Sequence, residues 1–250
     1  MTIQLSLDGA IAHVTLCNEK THNALGCDDI NAFLQHLETV QSQPDIRVLI
    51  ISNSGGSTFC SGASIRDFSN GTMSGELFST LTNTVAEFGI PTIAAINGNA
   101  YGGGSELALC CDFRFGSSGM RLFVPPARLG LCYPLDGMKH FIHRLGLNTT
   151  KRLLLAAEEF NGQQLNELGY LTHLTAPGLI NIKAQQLAAQ ISTLAPIAVR
   201  TMKQLCNQIS AGDINTEQAQ QAIDQCNNSA DLQEGLSAAR EKRSPQFKGL

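Results

Sequence analysis

Apolar and polar residues alternate over Ile3 to Leu7 and again over Ile11 to Cys17, with Asp8-Gly9 between them. Alternation of period two, interrupted by Asp-Gly, predicts a β-hairpin. After a polar loop from Asn18 to Gly26, the period changes to that of a helix. Ile30, Phe33, Leu34, Leu37 and Val40 share one face of a segment from Asp28 to Ser42, and Pro44-Asp45 breaks the chain. Val48 to Ile51 is apolar throughout, as in a strand buried on both faces. A Gly- and Ser-rich loop follows from Asn53 to Ser64. A second helix is expected from Ser74 to Phe88, with Leu77, Leu81, Val85 and Phe88 on one side.

Thr92 to Ile96 reads as another buried strand. Phe113 to Phe115 and Leu122 to Val124 are shorter ones, the last halted by Pro125-Pro126. Asp136 to Leu145 and Thr149 to Ala157 are expected to be helical. Beyond Asn161 the pattern predicts helices only: Gln163 to Leu168, Leu179 to Leu194, Ile197 to Ile209, Thr216 to Asn227 and Asp231 to Lys242. No strand there is convincing enough to extend a sheet. The fold class is therefore α/β with a helical C-terminal portion.

Between the strand ending at Ile96 and the apolar segment Leu107 to Cys111 lies Asn97-Gly98-Asn99-Ala100-Tyr101-Gly102-Gly103-Gly104-Ser105-Glu106. This is strand, glycine turn and helix start, with a carboxylate in the first helical turn. Free N–H groups at a helix start favour an anionic oxygen, including one that exists only in a transition state. The same residues also fit a plain tight connection, with Ser105 as N-cap and Glu106 complementing the helix dipole.

Composition narrows the classes. A chain of 250 residues with 43% hydrophobic content can form one sizeable core. A net charge of −4, with Arg240-Glu241-Lys242-Arg243 as its densest basic run, argues against nucleic acid as a partner. No apolar run approaches a membrane span, and Met1 to Leu5 lacks the basic-then-apolar order of a secretory signal. The eight cysteines form no C-x-x-C pair and no zinc-spaced cluster. A reduced, cytoplasmic protein without metal or redox cofactor is expected.

Two glycine-tipped loops, Phe59-Cys60-Ser61-Gly62-Ala63 and Tyr101-Gly102-Gly103-Gly104-Ser105-Glu106, follow buried strands. Together they resemble the signatures of the crotonase, or enoyl-CoA hydratase/isomerase, superfamily. Asn23-Ala24-Leu25, Pro91 to Gly98, Cys111-Asp112, Arg128 to Leu131 and Glu241 to Phe247 extend the resemblance over nearly the whole chain. It implies a spiral of β-β-α units over residues 1–194, and a C-terminal helical region over 195–250 that builds a homotrimer, commonly paired into a hexamer. It implies an acyl-CoA thioester substrate, with coenzyme A belonging to the substrate rather than acting as a cofactor, and a place in fatty acid metabolism. The backbone N–H groups of Ala63 and Gly103 become the oxyanion hole. Losing one such donor costs about 3 kcal/mol of barrier.

Glu106 matches one of the hydratases' two catalytic glutamates, and Pro126 occupies the position of the other. Leu129-Gly130-Leu131-Cys132-Tyr133-Pro134 resembles a decarboxylase branch, the methylmalonyl-CoA decarboxylases, which place a tyrosine at the Tyr133 position. That branch has a histidine where Ala63 stands, and the family's common aspartate is Ser64 here. The readings left open are hydratase/isomerase, malonyl-type decarboxylase, and a non-catalytic acyl-CoA binder. The resemblance places CoA against Lys20, Thr21, His22, Ala24, Ser61 and Ile65, with Lys242 reaching a neighbouring subunit's CoA. His13 and His36 are read as ordinary surface or core histidines. His140 is read likewise, as a helical histidine outside the pocket, and Asp136 as the reserve acid.

Overall fold

The computed structural model describes residues 2–250. Two sheets share the chain. β1 (Ile3–Asp8) and β2 (Ile11–Leu16) form the expected hairpin, and α1 (Cys27–Gln41) follows it. Then the chain repeats a unit. β3 (Val48–Asn53) and β4 (Thr58–Cys60) precede α2 (Ile65–Ser69) and α3 (Gly75–Ala86). β5 (Thr92–Ala95) and β6 (Asn99–Tyr101) precede α4 (Gly103–Cys110). β7 (Phe113–Ser117) and β8 (Arg121–Phe123) precede α5 (Leu135–Leu154). In each unit the first strand joins one sheet and the second strand the other. The larger sheet runs β1-β2-β3-β5-β7-β10, where β10 is His173–Thr175; the smaller runs β4-β6-β8-β9, where β9 is Phe160–Asn161.

Alternation along β3 shows why its sequence is apolar throughout. Leu49 and Ile51 face the main core with α1, α3 and α4. Val48 and Ile50 face a second cluster with Ile180, Ala184, Ala188 and Ile191 of α7 (Ile180–Ser192). Helices thus cover both faces of a largely parallel sheet. The apolar stripe of α7, including Ile191 and Leu187, is consumed inside the chain.

Three expectations are corrected. β10 does extend the large sheet, pairing parallel with β7 through His173↔Phe115; three residues His-Leu-Thr carry too little pattern to announce a strand. β6 lies within what reads as a turn. α5 holds the two expected helical segments, which meet at a kink where Gly146 leaves helical geometry at φ 74° and ψ 166°. Ser105 is not the cap of α4. The helix starts two residues earlier, its N-cap is Gly102, and the Ser105 hydroxyl donates back to the Gly102 carbonyl at 2.6 Å.

The chain finishes in α6 (Gly162–Glu167), α8 (Pro196–Ala211), α9 (Thr216–Asn227) and α10 (Ala230–Glu241). No helix among the described residues is long and apolar enough to cross a membrane. α8 buries none of its residues fully and docks through polar heads. Lys203 Nζ pairs with Asp112 Oδ2 at 2.7 Å and donates to the Ile90 carbonyl at 2.8 Å. Asp112 also accepts from the Thr92 amide at 2.7 Å and hydroxyl at 3.0 Å. Asp112 is therefore a structural bracket that joins β5, the start of β7 and α8. Burial pulls the Lys203 ammonium below its usual range, against the opposing pull of Asp112. Breaking a buried pair leaves an uncompensated charge, so Lys203→Met should lower stability by about 3 kcal/mol in denaturant titration.

Candidate active site

The site forms where the end of β4 meets the start of α4. At Gly62, φ is +91°, and a Cβ there would stand 2.6 Å from the Gly103 amide nitrogen. A Cβ on Gly104 would stand 2.2 Å from the Cys60 carbonyl oxygen. The two loops are in backbone contact that no larger residue permits. Leu25 completes the seat: its amide donates to the Gly62 carbonyl at 2.8 Å, and its carbonyl accepts from the Ser64 amide at 2.8 Å. Ala63 lies between those two bonds. Among the described residues, neither the Ala63 N–H nor the Gly103 N–H has an acceptor in the chain. A bulky side chain at Gly103 would collide with the Phe78 ring, 2.6 Å from the position of its Cβ.

α4 is buried from Gly104 to Cys110. Its far end is held by buried Arg114, which donates to the carbonyls of Tyr170 and Cys111. Tyr170, fully buried, returns a hydrogen bond from its hydroxyl to the Ser105 carbonyl at 2.8 Å. A cation on the carbonyl end of a helix complements its dipole.

Glu106 is 2% exposed, one turn along from Gly103 and on the same side of α4. Tyr133 donates its hydroxyl to Glu106 Oε2 at 2.6 Å, and His140 Nδ1 lies 3.1 Å from Glu106 Oε1. Gly137 makes room for this meeting: a Cβ there would lie 2.4 Å from the Tyr133 ring and 2.8 Å from Glu106 Oε2. Desolvation, then the charge and hydrogen bond of Glu106, push the Tyr133 phenol well above its usual range. Cys110 Sγ lies 3.4 Å from His140 Nδ1. Glu106, Cys110 and His140 bring an oxygen, a sulfur and a nitrogen within 4.8 Å of one another, the donor types of a metal site. Here they are joined by hydrogen bonds, and burial followed by the Glu106 charge holds the Cys110 thiol protonated. Burial likewise pushes Cys60 up to about 12, which makes it a poor nucleophile.

The helical pattern leaves His140 outside the pocket; the structure instead puts it against Glu106, and that expectation is corrected. It falls three residues after Gly137, one turn along α5, so the ring shares the helix face that Gly137 opens to Tyr133 and Glu106. Asp136 is not in this cluster. Its two oxygens are taken by Asn83 at 3.1 Å and Lys139 at 3.0 Å, which hold it below the usual carboxylate range. It lines an open cleft of about 770 Å³ between the starts of α3 and α5 that also borders Pro134. Pro126 is buried at the first position of a 3-10 turn, Pro126–Leu129. Ser64, in place of an aspartate, caps α2 by accepting from the Asp67 amide at 3.3 Å.

Residues 6–250 match the sequence profile of enoyl-CoA hydratase/isomerase. The chain belongs to this family, within the crotonase superfamily. Enoyl-CoA hydratase domain-containing protein 2 of Mus musculus is 32% identical over 251 residues, covering 96% of this chain and 84% of the relative. The short-chain-enoyl-CoA hydratase of Clostridium acetobutylicum is 29% identical, covering 96% and 94%. The crystal structure of an enoyl-CoA hydratase from Bacillus anthracis superposes with a TM-score of 0.92 at 27% identity over the full length of both chains.

The expected CoA contacts fall into two groups. Lys20, Thr21 and His22 lie on an exposed loop, with Ala24, Ser61 and Ile65 close by in the fold: Ser61 donates its amide to the His22 carbonyl at 3.1 Å. That loop is pinned by buried Asn23, whose side chain donates to the Thr58 and Phe59 carbonyls, each at 3.0 Å. Lys242 is exposed at the end of α10, outside this group. Because the Gly62 seat is steric and conformational, Gly62→Ala should cost about 2 kcal/mol or more in urea unfolding.

Proposed function

We propose that this chain binds an acyl-CoA thioester and stabilises its enolate, within the enoyl-CoA hydratase/isomerase class of chemistry. The carrying observation is the pair of unpartnered N–H groups at Ala63 and Gly103, set one helical turn from a buried carboxylate. The thioester oxygen accepts from both groups and gains most as it becomes an enolate oxygen. Glu106 moves the proton at the neighbouring carbon, or places it. Tyr133 fixes the Glu106 carboxylate and stays protonated while doing so.

A second reading is decarboxylation of a malonyl-type thioester. It is favoured by the single carboxylate and by the Tyr133–Glu106 bond, since loss of CO2 yields the enolate directly and needs only a proton source afterwards. Hydration by two carboxylates needs a second acid, and Pro126, where the family's second glutamate would stand, carries no proton. For CoA itself, we place the nucleotide end on Lys20, Thr21, His22, Ala24, Ser61 and Ile65. Lys242 serves a neighbouring subunit's ligand.

Assembly as a trimer is part of the proposal. Met202, Ile209, Ile223 and Leu236 on α8, α9 and α10 are 39–61% exposed in the single chain, which leaves apolar surface for subunit contact. Sedimentation at micromolar concentration should give about three or six times the 26.8 kDa chain mass; monomer alone would exclude it.

The purified protein should be assayed on crotonyl-CoA, a 3-enoyl-CoA and methylmalonyl-CoA. Turnover of at least one is expected, with crotonyl-CoA hydration slower than a two-glutamate enzyme achieves. Glu106→Gln should lower the rate on the true substrate by roughly a hundredfold or more. Release of CO2 from methylmalonyl-CoA with no enoyl-CoA turnover would select the second reading. Tight acyl-CoA binding with no turnover of any of the three would leave a binding protein.

A further inference from the structure

Glu106 has a supply problem. It is 2% exposed, and Tyr133 occupies its Oε2 through a phenol that does not ionise near neutral pH. A carboxylate that gives or takes a proton each turnover must be restored from solvent. Its other oxygen, Oε1, has one neighbour that can carry a proton, His140 Nδ1 at 3.1 Å. The His140 side chain is 17% exposed against 3% for that of Glu106, so the ring bridges the buried carboxylate and the surface. Among the described residues, Nε2 of this ring has no hydrogen-bond partner in the protein.

The other groups near the ring do not compete for the task. Cys110 on α4 is a thiol held protonated by its burial. Asp136 and Lys139, on the helix of His140, are paired with each other at 3.0 Å.

We infer that His140 is the proton relay between Glu106 and solvent. The inference rests on the enolate reading proposed above. In the protonating direction, the Glu106 O–H bond breaks as the C–H bond at the α-carbon of the enolate forms. The Nδ1–H bond of the neutral His140 ring then breaks as Glu106 Oε1–H forms while Nε2 takes a proton from a solvent acid. The ring stays neutral and is left as its Nε2–H tautomer, which returns to the Nδ1–H tautomer by proton exchange with water before the next turn. Enolate formation runs these steps backwards, and each transfer moves one proton with no change in electron count. His140 does not touch the substrate; it is a positioning residue for Glu106 that also carries its proton.

The test is His140→Asn, whose side-chain amide can still donate to Glu106 at the place of Nδ1 but cannot shuttle a proton. The probe is exchange of the α-hydrogens of butyryl-CoA in D2O, followed by NMR, beside kcat and KM on whichever of the three thioesters the wild type turns over. The relay predicts that exchange and kcat fall by roughly a hundredfold in H140N, while KM stays within about threefold and the thermal midpoint within about 2 °C. Added imidazole should restore part of the lost rate in H140N and none in E106Q. A merely structural role would move KM and the thermal midpoint and would show no rescue. If H140N exchanges the hydrogens at the wild-type rate, the relay is wrong and the enolate reading stands. If the wild type itself exchanges no α-hydrogen and turns over none of the thioesters, the enolate reading fails and the relay with it.

Discussion

The contact between the Cys60–Gly62 backbone and the Gly103–Gly104 backbone is what the rest of this structure serves. Two main chains this close leave no room for side chains, so the attraction must come from the elements that hold each chain in place. On one side Leu25 brackets the strand end with two backbone hydrogen bonds. On the other, α4 is buried from Gly104 onward, anchored at its far end by Arg114 and in its first turn by Tyr170. The helix is thus asymmetric: its carbonyl end is satisfied from within the protein, while its amide end keeps donors free. An anionic oxygen is the partner that such an end favours.

The β-β-α repeat explains how one chain produces the juxtaposition. Each unit sends its first strand to the large sheet and its second to the small one, so β4 and β6 lie side by side in parallel. The loops that leave them emerge at the same edge. Gly62 and Gly102 therefore sit at equivalent points of two successive units, and the meeting of their loops follows from the sheet register.

Much of this was legible in the sequence where the physics is local. The hairpin, the doubly buried β3, the amphipathic α1 and α3 and the strand–glycine–helix passage all follow from period and turn chemistry. The family resemblance named the glycine loops, Glu106 and Tyr133, and the fold it implied is the fold observed. What stayed hidden was tertiary. β10 and β6 have three residues each and exist because a neighbour offers a sheet edge. Gly137 reads as a helix weakness, and its purpose is visible only when Tyr133 and Glu106 are seen against it. His140 stands one turn along from Gly137, but that spacing has meaning only once Gly137 is seen to receive Tyr133 and Glu106, and a lone histidine in a helical pattern does not show it. Asp112, carried by a family motif, proves to bind α8 to the sheet.

Asn23 has a consequence for the kinetics of ligand capture. His22 and Asn23 both take left-handed backbone angles, φ 56° and 54°, which cost energy for residues other than glycine. Buried hydrogen bonds from the Asn23 side chain to β4 hold them there. The exposed loop carrying Lys20 and Thr21 is therefore ordered before any ligand arrives. Its entropy is lost once, at folding, so a nucleotide bound where the proposal places it would meet a loop already ordered. Association with such a surface needs no search among loop conformers, and encounters of correct orientation convert directly into complexes.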